Sequence, residues 1–509
     1  MTLQRRHLLH GAAALVALPA LLRHARAADV PRFGLGIASG QPRADGVVLW
    51  TMLTGAGLPE RASVEWELAE DEGFTRIVAR GEESAELAWA HSVHAEPTGL
   101  APARWYWYRF RAVGQQSPPG RTRTAPAPDA DAAAFNFVIT SCQRYDVGHY
   151  VAWRHIAAEP QLDAVMFVGD YIYEYPNGPK SIRPIEGSGP VRTLAQYRAR
   201  YATHKSDAAL QAALAAVPWL LVWDDHEVGN DYAGLQGEHL ETDFRTQRAA
   251  AYRAYWEHMP FPKASRPVDA DMRIVNRLDW GRLARLHLID DRQYRDPQVC
   301  PKPGRGGSNT VALKACPEFL DPKRTLLGAE QERWLAEGWD TTRPWNLLVQ
   351  QTLMARISWT DPGAPGSGGG TYWTDGWDGY PAARNRLLGA VAQRKAPGVV
   401  VLGGDVHSNY VADLKADYDD PASKVIATEF CGTSITSLSM PQSRLDAARA
   451  FNPHLHYGRS DQRGYMRFAL DATQLQAQVR VVNALDPSSG VTTAARFVVD
   501  AAKPGAVEA

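Results

Sequence analysis

Three apolar runs each stop on an acidic cluster: VMFVGDYIYE at Asp170, WLLVWDDHE at Asp224, Asp225 and His226, and VVVLGGDVHSN at Asp405 and His407. An apolar run without alternation is the pattern of a strand buried on both faces, as in parallel sheets. In α/β sheets, ligand and catalytic groups gather outside the carboxyl ends of such strands. The clusters are therefore expected to converge on one edge of one sheet. Carboxylates brought together repel each other unless a cation holds them. A polynuclear metal centre follows as the leading reading.

The organisation around these runs supports an α/β body with an all-β segment before it. After Phe135, the runs FNFVITS, AVMFVGD, WLLVWDD, LARLHLIDD, WNLLVQQ and VVVLGGD alternate with helix-compatible stretches such as 193–204, 245–258 and 329–339. Segments 465–470 and 475–482 read as a late antiparallel hairpin. Residues 28–125 read instead as a small β-sandwich of the immunoglobulin or fibronectin kind, with alternation around Val64, Trp66 and Leu68 and in WYWYRFRAV. Residues 126–134 read as a linker. A chain of 509 residues exceeds one ordinary core, so two domains are expected.

Arg5-Arg6 precede an apolar stretch from Leu8 to Leu22, and Ala25-Arg26-Ala27 suits signal cleavage. Residues 1–27 thus read as a secretory signal of the twin-arginine type. Its apolar part is short for a membrane span. A periplasmic or secreted protein is expected, with the twin-arginine export machinery as a partner. A formal net charge of -1 and no basic stripe exclude nucleic acid as a specific partner. Cys300 and Cys316 flank the Gly/Pro-rich PKPGRGGSNT and are expected to close that loop as a disulfide. Cys431 reads as a buried small hydrophobe. Gly34-Leu35-Gly36 lacks the third glycine of a dinucleotide site.

The candidate site residues follow the strands in order. Cys142 comes just past FNFVITS. Asp170 follows Gly169, which permits a tight turn. Tyr173 lies three residues on from Asp170, within reach of one ion. Asp225 and His226 end the third run, with Asn230 shortly after. Asp405 and His407 follow Gly403-Gly404 and in a local strand would point the same way. Thiolate, phenolate, carboxylate and imidazole together suit Fe(III) or Zn(II), and carboxylates suit a hard ion such as calcium. Arg144 and Arg292, each past a strand end, are candidate phosphate contacts. Any one Asp after a strand is ordinarily a helix cap or turn former. The weight lies in the set. A non-catalytic protein with structural calcium sites is disfavoured, because calcium takes oxygen ligands and Cys142, Tyr173 and His407 are not all oxygen donors.

SCQRYD, GDYIYEY, DDHEVGND, GGDVHSN and EFCGTSITS resemble the signature segments of the alkaline phosphatase D (PhoD-like) phosphatases, within the calcineurin-like metallophosphoesterases. ASGQPRADGVVLWT, Ala38 to Thr51, resembles that family's preceding fibronectin-like domain. The resemblance implies a metallophosphoesterase-type β-sandwich flanked by helices over 135–509. It implies an exported enzyme that hydrolyses phosphate monoesters or diesters, with larger diesters as the alternative substrate. Cys142 and Tyr173 would then be iron ligands and Asp170 a bridge between metals. Asp225 would stand in place of a metal-binding Asn, and Asp405 with His407 in place of a closing His-x-His. The exchange of nitrogen for oxygen donors would turn one site toward calcium. His226 would contact phosphate and act with Asp170 in catalysis. Asn230 would contact phosphate or calcium, although Asn230-Asp231 stands where the family has Asn-Asn.

Overall fold

The computed structural model describes residues 32–509, so the signal expected over 1–27 lies outside the described residues. Two large sheets face each other. The first has ten strands. At its centre Phe135–Thr140, Ala164–Val168 and Trp219–Val222 run parallel. Beside Phe135–Thr140, the segments Arg463–Leu470, Gln474–Val482, Thr492–Asp500 and Lys503–Glu508 add an antiparallel meander. Its first two strands are the hairpin expected over 465–482. The second sheet has seven strands. In it Ala284–Leu288, Trp345–Val349, Val399–Gly403 and Val425–Cys431 are parallel.

The apolar runs lack alternation because both faces of these strands are covered. Leu347, Val349, Val400 and Leu402 point into the layer between the sheets, where they join Phe137, Met166 and Phe468. Leu348, Val399 and Val401 point outward, onto the layer beneath the helices Gly328–Gly338 and Pro381–Arg394. The helices Leu194–Lys205 and Phe244–His258 lie where the pattern placed them. The first begins at a capping box made by Thr193 and Gln196.

One expectation needs correction. The metal-type clusters were expected on one sheet. Cys142, Asp170 and Asp225 do follow strands of the ten-stranded sheet, but Asp405 and His407 follow Val399–Gly403 of the other. The carboxyl ends of two facing sheets converge, and the site lies across the mouth of the sandwich. The all-β segment expected over 28–125 is described from residue 32, and its strands divide between two sheets. Arg61–Ala69, Ile77–Glu86, Trp105–Ala112, Gln115–Gln116 and Gly120–Arg123 form their own five-stranded sheet. Ile37–Gly40, Val48–Met52 and Ser92–Ala95 instead extend the ten-stranded sheet, Gly40 pairing with Trp219. One core of Ile37, Leu49, Val64, Val93 and Tyr108 joins the two layers.

Cys300 and Cys316 form the expected disulfide. Cys431 is buried in its strand, with Sγ 3.1 Å from the Gly404 carbonyl. No helix among the described residues is long and apolar enough to cross a membrane.

Candidate metal centre

The strand ends turn abruptly where the candidate residues sit. Cys142, Asp170, Asp231, Asp405 and His407 all take positive φ, between 53° and 68°. Non-glycine residues rarely occupy this left-handed region, and such strain collects at functional sites. Asp405 and His407 therefore lie in a bend, not in the local strand expected of them. Gly169 has φ 103°, and a Cβ there would collide with Asp224. That glycine lets two neighbouring strand ends close up. Glu227 ties them further, accepting from the backbone N–H groups of Asp170, Tyr171 and Asp224.

Two ligand-like clusters share Asp170. In the first, Tyr173 Oη donates to Asp170 Oδ2 at 2.7 Å and lies 3.0 Å from His407 Nε2. Donor atoms of Cys142, Asp170 and His407 fall within 4.8 Å of one another. Ser437 Oγ is 2.8 Å from both Tyr173 Oη and the Cys142 carbonyl. His407 Nδ1 is fixed by the Leu438 carbonyl at 2.7 Å, which leaves Nε2 to face the cluster. In the second cluster, Asp170, Asp225 and His226 meet within the same limit. Asp405 is held by Thr352 Oγ1 at 2.6 Å and lies beside this group across the Arg292 guanidinium.

The electrostatics are those of crowded anions. Burial, reinforced by Asp170, pushes the Cys142 thiol and the Tyr173 phenol well up. Burial also pushes Asp405 well up, against Arg292 and with help from Asp225. Burial raises Asp225 too, but Arg292, His226 and the Asp231 N–H outweigh it and hold this carboxyl below its usual range. Burial alone would lower His226. Glu174, Asp170 and Asp225 overcome it and hold the imidazolium well above the ordinary histidine value. Asp170 Oδ1 and Asp225 Oδ1 are buried without a hydrogen-bond partner. An unpaired buried carboxylate oxygen costs several kcal/mol unless something binds it, and a cation is the partner this donor set fits.

Arg292 corrects another expectation. It is wholly buried and does not line the cavity. Nε bonds Asp224, and Nη1 bonds Asp375 at 2.7 Å. The loop after Ala284–Leu288 delivers it among the buried carboxylates as a counter-charge. Replacing it with Met strands Asp224 and leaves Asp375 with Arg295 as its one arginine. The expected cost is about 3–5 kcal/mol, read as a lower melting temperature, with a loss that grows as pH rises and the carboxylates ionise. Arg144 is held by Asp146 at 2.8 Å, with Cζ 5.9 Å from the Tyr173 ring. Asn230 lines the cavity, and its backbone N–H donates to Glu174 at 2.8 Å.

Sequence reasoning missed several residues that shape the site. Glu174 binds His226 Nδ1 at 2.7 Å and sits inside GDYIYEY, four residues after Asp170. Asp231 and Asp375 form a third carboxylate cluster with Asp225. Burial and then Asp375 push Asp231 up to about 7. Arg292 and Arg295 neutralise Asp375. No apolar run precedes Asp375, so the pattern of strand ends could not find it. The cavity above these groups has a volume of about 420 Å³.

A family model described as PhoD-like phosphatase matches residues 137–479, and one described as its N-terminal domain matches residues 19–126. Alkaline phosphatase D of Bacillus subtilis (strain 168) is 41% identical over 486 residues, covering 92% of this chain and 80% of that protein. A solved structure of PhoD superposes with a TM-score of 0.87 at 39% identity, covering 94% of this chain and 92% of that one.

Proposed function

This chain belongs to the PhoD-like phosphatases and is a phosphoric ester hydrolase, and we propose that it works as an exported metalloenzyme of the calcineurin-like metallophosphoesterase type, with an iron and calcium centre. The observation that carries the reading is the meeting of Cys142, Asp170, Tyr173 and His407 beside two buried carboxylate oxygens that lack partners. Cys142, Asp170, Tyr173 and His407 would hold Fe(III), since thiolate, phenolate and imidazole suit a transition metal. Asp170, Asp225 and Asp405 would hold Ca(II), which takes oxygen donors. Bound there, the ions would supply a nucleophile at neutral pH and neutralise charge on the transferring group.

The chain's own residues do the rest. Glu174 occupies His226 Nδ1, so Nε2 is the nitrogen that can face a substrate in the cavity. As an imidazolium, it donates to a phosphoryl oxygen and offers a proton to the leaving alkoxide. Asn230 lines the same space as a neutral phosphate contact, and Arg144, whose guanidinium lies 5.9 Å from the Tyr173 ring, would be a cationic one. The strained bends at Asp170, Asp405 and His407 fix these groups before substrate arrives, so little reorganisation is needed during reaction.

The test is turnover of p-nitrophenyl phosphate and its bis-ester at alkaline pH, alongside elemental analysis of the purified protein. Active protein with no iron or other transition metal removes the role given to Cys142 and Tyr173. A second reading, a phosphodiesterase or phospholipase-D-like enzyme on larger diesters, is favoured by the cavity's size and by Trp373 on its wall. A bis-ester rate above the monoester rate would select it. Periplasmic or secreted placement is supported by Arg5-Arg6 and by a disulfide, which persists in oxidising compartments.

A further inference from the structure

The cavity is lined by two unlike sets of side chains. Asp170, Asp225, His226, Asp405 and His407 make one. Ile357, Trp359, Trp373, Leu438 and Met440 make the other, an apolar wall, together with Arg444. Three separate segments build this second wall. Trp359 comes from the loop after Trp345–Val349. Trp373 ends the short strand Thr371–Trp373, and Arg444 lies in the first turn of the helix Gln442–Arg449. Both tryptophans are only partly buried, and Leu438 is 42% exposed. Arg444 is exposed, and its guanidinium lies 4.8 Å from the Trp359 ring centroid.

The wall is also held in place. Thr371–Trp373 pairs with Thr310–Ala312, inside the loop that the Cys300–Cys316 disulfide closes. Asn309 bonds Thr374 through backbone and side chain. Apolar side chains left open at the mouth of a hydrolytic site mark a ligand contact. A phosphate carrying a small alcohol would leave this wall wet. Two indoles in one wall, one of them beside a guanidinium, fit a planar ring better than a flexible chain.

Resting on the phosphoester reading above, we propose that Trp359, Trp373 and Arg444 form a subsite for a planar aromatic alcohol group on the phosphate ester. The phosphate sits at the acidic set, and the ring lies against the indoles.

The experiment is competition against p-nitrophenyl phosphate hydrolysis by phenyl, hexyl, methyl and inorganic phosphate. Phenyl phosphate is expected to inhibit about tenfold more tightly than methyl phosphate, with hexyl phosphate between them. Trp359→Leu, apolar but not planar, should bring the phenyl-to-methyl ratio close to one. Trp359→Phe should keep most of it, and Arg444→Gln should lower it by roughly half. These are ratios within one variant, so a general loss of activity does not mimic them. Hexyl phosphate as tight as phenyl phosphate would make the wall a trough for alkyl chains and overturn the proposal. An unchanged ratio in Trp359→Leu would also overturn it. A protein that neither turns over esters nor binds inorganic phosphate would instead sink the phosphoester reading, and the subsite with it.

Discussion

Asp170→Asn is expected to lower kcat by about 10³-fold or more and, with the iron and calcium centre proposed above, to reduce the iron found by elemental analysis. Asp170 is the one carboxylate common to both ligand clusters. Its Oδ2 meets Tyr173, and its Oδ1 is the buried oxygen left without a partner. The amide keeps the shape but removes the charge that two cations would share. Metal stabilisation of a phosphoryl-transfer transition state is worth several kcal/mol, and each ~1.36 kcal/mol is tenfold in rate. Near wild-type turnover with full iron content would show that the two clusters do not form one centre.

His226→Asn is expected to lower kcat/KM by about 10²- to 10⁴-fold, the usual worth of a placed general acid. Glu174→Gln tests the same residue through its pH profile. Burial pulls the His226 pKa down, and Glu174 leads the groups that raise it. Without that carboxylate the imidazolium gives up its proton at lower pH. The alkaline limb of kcat/KM should therefore move toward neutrality in Glu174→Gln. A merely structural role for Glu174 would lower the whole profile without moving its limb. The linkage to stability has a definite sign. The folded pKa is raised, so the Glu174–His226 contribution is complete below the unfolded histidine value of ~6.5 and is lost as pH rises through the folded pKa.

Much of the body was legible because its strands are buried on both faces and its helices carry ordinary end signals. FNFVITS, AVMFVGD, WLLVWDD and VVVLGGD show no alternation, and each proves to be covered on both sides. What a run of apolar residues does not encode is its neighbour in the sheet. Val399–Gly403 reads like Trp219–Val222, yet the two lie in opposite layers. The short IASG at Ile37–Gly40 carries no mark of its parallel pairing with Trp219. Position after a strand end also misleads about direction. Asp225 turns to the cavity, whereas Arg292, in the same place after its own strand, turns inward to Asp224 and Asp375. Glu174 and Asp375 act through partners far away in the chain, so nothing in their local spacing distinguishes them.

The extension of the central sheet by Ile37–Gly40 and Val48–Met52 has a further meaning for how this protein is made. Ile37–Gly40, synthesised well before its parallel partner, finds its place only after Trp219–Val222 has been made. Closing so long a loop slows folding. A fragment cut to begin at Phe135 would bare the edge of Trp219–Val222, and raw edges recruit other chains. The leading segment is thus a selvedge woven into the catalytic cloth, and hydrolase and forepart stand or fall together.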